Sequence, residues 1–207
     1  MGTGLAWFDH AGHGTGTARL DQMTGYVPFS ADGEQVTWST WDGEHTETAT
    51  LRWENEGWTI GGVVGRERVQ YAIRTSATWR VRQFLLFRDM EDPDLWLATD
   101  GAGRWGEVNG THRPELDGCY DVHLDCTPLT SLLPIRRLQL HEGDAAELPV
   151  VGIDVDTLQV QRVFHRYVRT GDRRWVVVRH DATTVEFDVD EHGLALDVAE
   201  RFRRVQR

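Results

Sequence analysis

From Gln35 onward, apolar and polar residues alternate in short runs separated by turn residues. Val36–Trp41 ends at Asp42-Gly43, a pair suited to a tight hairpin. Thr46–Trp53 alternates and turns at Asn55–Gly57, and Trp58–Val64 follows. Val69, Tyr71 and Ile73 share one face of the next run. Thr78–Arg88 places Trp79 and Val81 on one side, then becomes apolar on both sides at Phe84–Phe87, as in a strand covered on both faces. Asp94–Thr99 and Arg104–Val108 flank a turn at Asp100-Gly101. Later runs are Leu148–Ile153, then Leu158–Val168 with Leu158, Val160, Phe164 and Val168 on one side. Arg174–Arg179 follows, with Val176 and Val178 expected inward, and Thr183–Asp190, with Val185, Phe187 and Val189 inward. After a strand to Leu196 the pattern fits either an extended end or a helical stripe of Leu194, Val198, Phe202 and Val205. A dozen or so strands with frequent turns and no fixed repeat predict a mainly β fold, one long antiparallel sheet curled on itself.

One stretch breaks the alternation. In Gly118–Leu140, Cys119–Asp125 reads as a strand with Tyr120, Val122 and Leu124 on one face and Cys119, Asp121, His123 and Asp125 on the other. Thr127 is placed to cap a helix that Pro128 starts, and Leu129, Leu132 and Leu133 share its face. Pro134 is expected to stop it, and Ile135–Leu140 to resume as a strand. A helix of under two turns has no stability of its own. The sheet must therefore curl around these leucines. Residues 1–34 are rich in glycine and threonine and poor in aliphatics, which predicts a loosely ordered extension, with a strand at Leu5–Phe8, before a β domain spanning 35–207.

Composition narrows the function. The chain has 207 residues and a net charge of −11, and all 22 of its basic residues are arginine. This balance argues against nucleic acid and against anionic membrane surfaces. No apolar run approaches the ~20 residues of a membrane span, and the first residues do not form a secretory signal, so the expectation is a cytoplasmic protein with no stable membrane insertion. On a straight strand Cys119 and Cys126 would lie about 23 Å apart, too far for a disulfide, so both are expected as free thiols.

Few groupings carry chemistry. Asp121, His123 and Asp125 at two-residue spacing could grip a metal with a third ligand from His141, His165 or His180, or serve an enzyme; their plainer role is a hydrogen-bonded polar face. Arg136-Arg137 could fork a phosphate or sugar oxygen, against an internal salt bridge from one of them to Asp121. Nine tryptophans could stack on sugars, although core packing accounts for most. Trp79, beside Arg80 and Arg82, and Trp175, beside Arg173 and Arg174, stand out. No nucleophile motif, phosphate loop or zinc array is present, and no catalytic residue, metal or cofactor is assigned.

Asp121-Val122, Leu124, Thr127-Pro128-x-Thr130 and Leu133-Pro134-Ile135-Arg136-Arg137-Leu138 together resemble the signature of the putative glycolipid-binding family of bacterial β proteins. Weaker likenesses are Tyr71 with Trp79-x-x-Arg82, Leu95–Trp105, Arg166-Tyr167 and Val189-Asp190 with Gly193-Leu194, so the resemblance spans about residues 35–205. His123 stands where the pattern expects Asp, Ser131-Leu132 where it expects Asn-Thr, and His165 where it expects Gln. The resemblance implies a spiral β-roll around one short central helix and non-enzymatic binding of an amphipathic ligand, a glycolipid or lipid, in a cavity of the roll. With the residue chemistry above, it makes Trp79, Arg80, Arg82, Asp121, His123, Arg136, Arg137 and Tyr167 the candidate ligand contacts. An enzyme or metal site on the Asp121/His123/Asp125 face and a structural or interaction module without a ligand are the alternatives.

Overall fold

A computed structural model describes residues 25–30, 32–65, 68–89 and 91–205. The predicted strand at Leu5–Phe8 lies outside these residues. A first meander runs through β1 (Glu34–Thr40), β2 (Thr46–Glu54), β3 (Gly57–Val64), β4 (Val69–Thr75), β5 (Val81–Phe87), β6 (Leu95–Thr99) and β7 (Trp105–Glu107). The chain then passes a 3-10 turn at Pro114–Leu116, strand β8 (Val122–Leu124), a second 3-10 turn at Leu129–Ser131 and helix α1 (Leu132–Arg137). A second meander follows: β9 (Ala145–Ile153), β10 (Val160–Arg169), β11 (Arg174–Val178), β12 (Thr184–Val189), β13 (Ala195–Val198) and β14 (Phe202–Arg204). The 14 strands of the described residues form one mixed sheet in the order β7-β6-β5-β4-β3-β2-β1-β14-β13-β12-β11-β10-β9-β8.

The single curled sheet is as expected, with one exception to its antiparallel pairing: β8 runs parallel to β9. The segment leading into β8 spans the two ends of the sheet. Gly118 N–H donates to Gly103 O at 2.8 Å and Val81 N–H to Tyr120 O at 2.9 Å on one half; Val151 N–H donates to Asp121 O at 2.9 Å on the other. Leu129, Leu132, Leu133 and Ile135 are buried inside this curl. Thr127 Oγ1 accepts the Leu129 N–H at 2.9 Å, but this braces the 3-10 turn; α1 itself begins at Leu132 behind Ser131, so Thr127 and Pro128 do not start it as predicted.

Three local expectations are corrected. Pro134 does not end the helix, because it is the third residue of α1, within the first turn, where a helical N–H has no intrahelical partner to lose. The helix runs on through Arg136 and Arg137, and Leu138–Leu140 joins no strand. The inward face of β10 is Val163, His165 and Tyr167, leaving Phe164 47% exposed. On β11 Trp175 and Val177 point inward in place of Val176 and Val178. In both strands a large ring sits in the phase of the inward face, and each outvotes the aliphatics of the opposite phase. The end of the chain is extended, since Glu200 at φ 62° turns β13 back into β14.

Candidate functional site

Little open space separates α1 from the second meander. Between α1 and the second meander, Pro128, Ser131, Tyr167, Val177, Phe187 and Phe202 leave about 10 Å³. Three buried indoles are also tied off: Trp38 Nε1–H donates to Ala195 O, Trp105 Nε1–H to Cys119 O and Trp175 Nε1–H to the Tyr26 hydroxyl, each at 2.9 Å.

One of several open spaces lies at a mouth of the roll, where the histidines gather. A cleft of about 410 Å³ is bounded by the end of β8 and the residues after it (His123, Asp125, Cys126), the end of β9 (Gly152, Ile153), the β9–β10 turn (Asp154, Val155, Asp156, Gln159), the start of β10 (Gln161, Val163) and His180. The parallel pairing of β8 on β9 sets His123 opposite Gly152. A side chain at Gly152 would meet Val163 at 3.1 Å, so glycine keeps this wall thin. Asp154 fixes the turn, its Oδ1 accepting the N–H groups of Asp156 and Thr157, each at 2.9 Å.

Asp125 is the charged anchor of the cleft. His123 Nε2–H donates to it at 3.3 Å, Arg201 Nη2 reaches it at 3.2 Å, and Arg179 Nη1 bonds the same oxygen. The His123 bond and these guanidiniums hold its carboxyl far below the usual range. Behind it, His123 meets the His165 ring edge-on at 4.6 Å, and His165 stacks on His180 at 6.0 Å. His165 is 1% exposed and neither ring nitrogen has a partner. Burial, then the nearby His123 and Arg179, push its pKa down to about 3, so this imidazole is neutral. Burial lowers His123 as well. Among the described residues no cluster of three or more His, Cys, Asp or Glu side chains could hold a metal. His141 is remote from the cleft, paired with Asp144 on an exposed turn.

The predicted contacts fall into separate groups. Of these, His123 lines the cleft. Asp121, fully buried, does not join His123 and Asp125: Arg137 Nε and Nη2 grip its carboxylate at 3.2 and 2.5 Å, the predicted internal bridge. Arg80 and Arg137 both lie over the Tyr120 ring, at 4.5 and 5.7 Å. Arg82 is apart, its Nη1 donating to Asp100 O at 3.1 Å. Tyr167 is buried and meets Trp175 edge-on at 6.4 Å. Trp79 and Arg136 belong to the opposite mouth, where Trp79 stacks on Trp58 at 5.4 Å and the Arg136 guanidinium sits 5.2 Å above Trp79. Both arginines of the pair point inward, because a helix turns consecutive residues by about 100°, where a strand would oppose them.

Sequence reading missed two features. The Asp154–Gln161 hairpin gathers two carboxylates and two amides within one turn, a density that marks a polar wall. Glu47 is the second. It sits in the same strand phase as Ala49 and Leu51, which was the available signal that it faces inward. Its Oε1 accepts the Tyr71 hydroxyl at 2.5 Å and Thr127 Oγ1 at 2.6 Å, while Oε2 is buried without a partner. Burial raises its pKa to about 7, opposed by those two bonds. Cys126, between Glu47 and the cleft, has its thiol pushed up to about 12 by burial and then by Glu47, which keeps it protonated at neutral pH. Cys119 and Cys126 are both free.

No helix of the described residues is long and apolar enough to cross a membrane. No curated protein matches the chain. A crystal structure of a DUF1089 family protein from Pseudomonas aeruginosa superposes with a TM-score of 0.67 at 28% identity, covering 81% of this chain and 92% of that one. The family described as "Putative glycolipid-binding" matches residues 35–204, from β1 through β14 and across the whole cleft. With that span matched, the chain belongs to this family.

Proposed function

We propose that the protein is a non-enzymatic binder of a glycolipid, and that the cleft at His123 takes the sugar head group while the lipid part stays outside the roll. One observation carries this reading: a cleft of about 410 Å³ walled by carboxylates, amides and imidazoles opens at His123, whereas the space between α1 and the second meander behind it is only about 10 Å³. The volume is within the range of small-molecule sites, roughly 300–1,000 Å³. Among the described residues the Gln159 and Gln161 amides and the Asp156 carboxylate make no side-chain hydrogen bond, so they can serve ligand hydroxyls. Asp154 and Asp156, which make no ion pair among the described residues, disfavour phosphate or sulfate and favour a neutral, hydroxyl-rich group. Asp125 has its Oδ1 held by His123, Arg179 and Arg201, which keep its carboxyl far below the usual range, and Asp121 is sealed against Arg137. Neither is poised as a general acid or base. A second groove of about 770 Å³ adjoins the cleft across Cys126, Val155 and Asp156, and its other walls mix Val64 and Val69 with Arg68, Arg88, Asp89 and Asp94, room for more of a polar head group.

The test is titration of the protein with vesicles containing a monoglycosyl diacylglycerol, against vesicles of diacylglycerol alone. Saturable binding to the first only is expected, weakened at least tenfold in a Gln159→Ala/Gln161→Ala variant of unchanged melting temperature. Equal binding to both vesicles, or undiminished binding by the variant, overturns the head-group assignment.

A further inference from the structure

At the mouth opposite the cleft, residues 26–29 (Tyr-Val-Pro-Phe) lie across a groove built wholly from the family-matched part of the chain. Tyr26 and Phe29 are buried anchors, whereas Val27 and Pro28 between them are exposed. Phe29 stacks on His192 at 5.0 Å and meets Trp58 edge-on at 5.3 Å and Trp79 at 5.8 Å. Tyr26 lies under the guanidiniums of Arg169 and Arg136, at 5.5 and 5.8 Å, and accepts the Trp175 indole N–H. Between the rings the groove reads backbone. Val27 N–H donates to Glu191 O at 2.8 Å. Val27 O accepts from Arg136 Nη1 and from His192 Nδ1, each at 3.1 Å.

We propose that this groove is a peptide-recognition site, filled here in cis by residues 26–29, and that it takes in trans an extended aromatic-x-Pro-aromatic segment of another protein. Four observations lead there. The family match begins at residue 35, so the fold that builds the groove is defined without the segment that fills it. Anchors three residues apart share one side of a polyproline-type segment, which aromatic-lined grooves recognise. Pro28 holds Val27 extended, so little order is lost on docking. Both the N–H and the C=O of one residue are read, a pairing that a peptide backbone offers and an alkyl chain does not. The groove also carries stored strain: Trp79, its central ring, has φ +63°, a left-handed conformation that side chains rarely adopt and that is found at ligand clamps.

The experiment uses the full chain and a fluorescein-labelled peptide spanning residues 24–32. A tethered segment competes at an effective concentration of about 1 mM, so a peptide that binds the freed groove at about 10 μM should bind the wild type about 100-fold more weakly. Saturable binding by Tyr26→Ala/Phe29→Ala, suppressed about 100-fold in wild type and at least tenfold by a further Arg136→Gln, supports the site. A folded double variant that ignores the peptide, or that is saturated by dodecyl maltoside in its place, overturns it. Should the double variant not fold, a protease site inserted before Asp32 allows the strap to be cut after folding. Exchange of the labelled peptide into the cut protein supports the proposal, and failure to exchange overturns it. The glycolipid reading concerns the other mouth and stands or falls separately.

Discussion

Glu47→Gln should make the protein more stable above neutral pH and leave it nearly unchanged at pH 5. The side chain is 3% exposed, and its carboxyl moves from an ordinary value of 4.5 to about 7 on folding. Between those values the folded protein holds a proton that the unfolded chain has released. Stability from this group is therefore complete below pH 4.5 and is lost as pH rises through 7. At about 1.4 kcal/mol per pH unit, the loss amounts to about 3 kcal/mol. Glutamine imitates the protonated form: its carbonyl can accept from Tyr71 and Thr127, and it has no charge to desolvate. For a domain of this size, about 3 kcal/mol corresponds to a rise in Tm of about 6–12 °C at pH 8. The assay is scanning calorimetry of both proteins from pH 5 to 8.5, read as the difference between them, which cancels every other titrating group. Parallel profiles would refute the reasoning, since they require Glu47 to ionise alike in folded and unfolded chains.

Three further outcomes are expected. His165, held neutral down to about pH 3, cannot take the proton that unfolded chains bind below 6.5, so stability falls as pH drops from 6.5 toward 3; His165→Leu should flatten that arm in acid urea titrations. Arg137→Met strands the fully buried Asp121 and should cost about 3–5 kcal/mol by urea midpoint, most of it recovered on adding Asp121→Leu. Gly62→Ala would drive its methyl to 2.1 Å from the buried Tyr71 ring and break the bond to Glu47; a loss of about 1–3 kcal/mol is expected, and an unchanged melting temperature would show that Tyr71 moves freely.

The sheet was legible because alternation survives wherever one face is buried. Thr46–Trp53 and Thr183–Asp190 show it: the extents of both agree with the structure to within a residue, and Val185, Phe187 and Val189 face inward as expected. It failed on β10 and β11, where valines occupy the outer face and His165, Tyr167 and Trp175 the inner one. Hydropathy ranks an imidazole as polar, but a curled sheet buries whatever lies on its concave side. Proline was misread for a related reason: its effect depends on distance from the helix start, and Pro128 at the preceding turn concealed where α1 begins. The Asp121–Arg137 bridge followed from two residue types on adjacent segments. The cleft did not, because it depends on β8 pairing in parallel with β9, a long-range choice with no mark in either strand. Tyr26 and Phe29 were passed over as part of a glycine-rich leader, although two aromatics around a proline carry their own signal.

The seam between β1 and β14 spans three residue pairs, Trp38↔Arg204 to Thr40↔Phe202. Each meander can zip up hairpin by hairpin from local contacts, whereas the seam must join strands from the two extremes of the described chain. During synthesis β1 therefore waits, its hydrogen-bonding edge open, until β14 has emerged. A stop before Phe202 would leave β1 and β13 as two raw edges in the middle of the sheet, templates for pairing with other chains. The few residues of β14, which touch neither mouth of the roll's chemistry directly, thus decide whether the newborn chain closes on itself or on its neighbours.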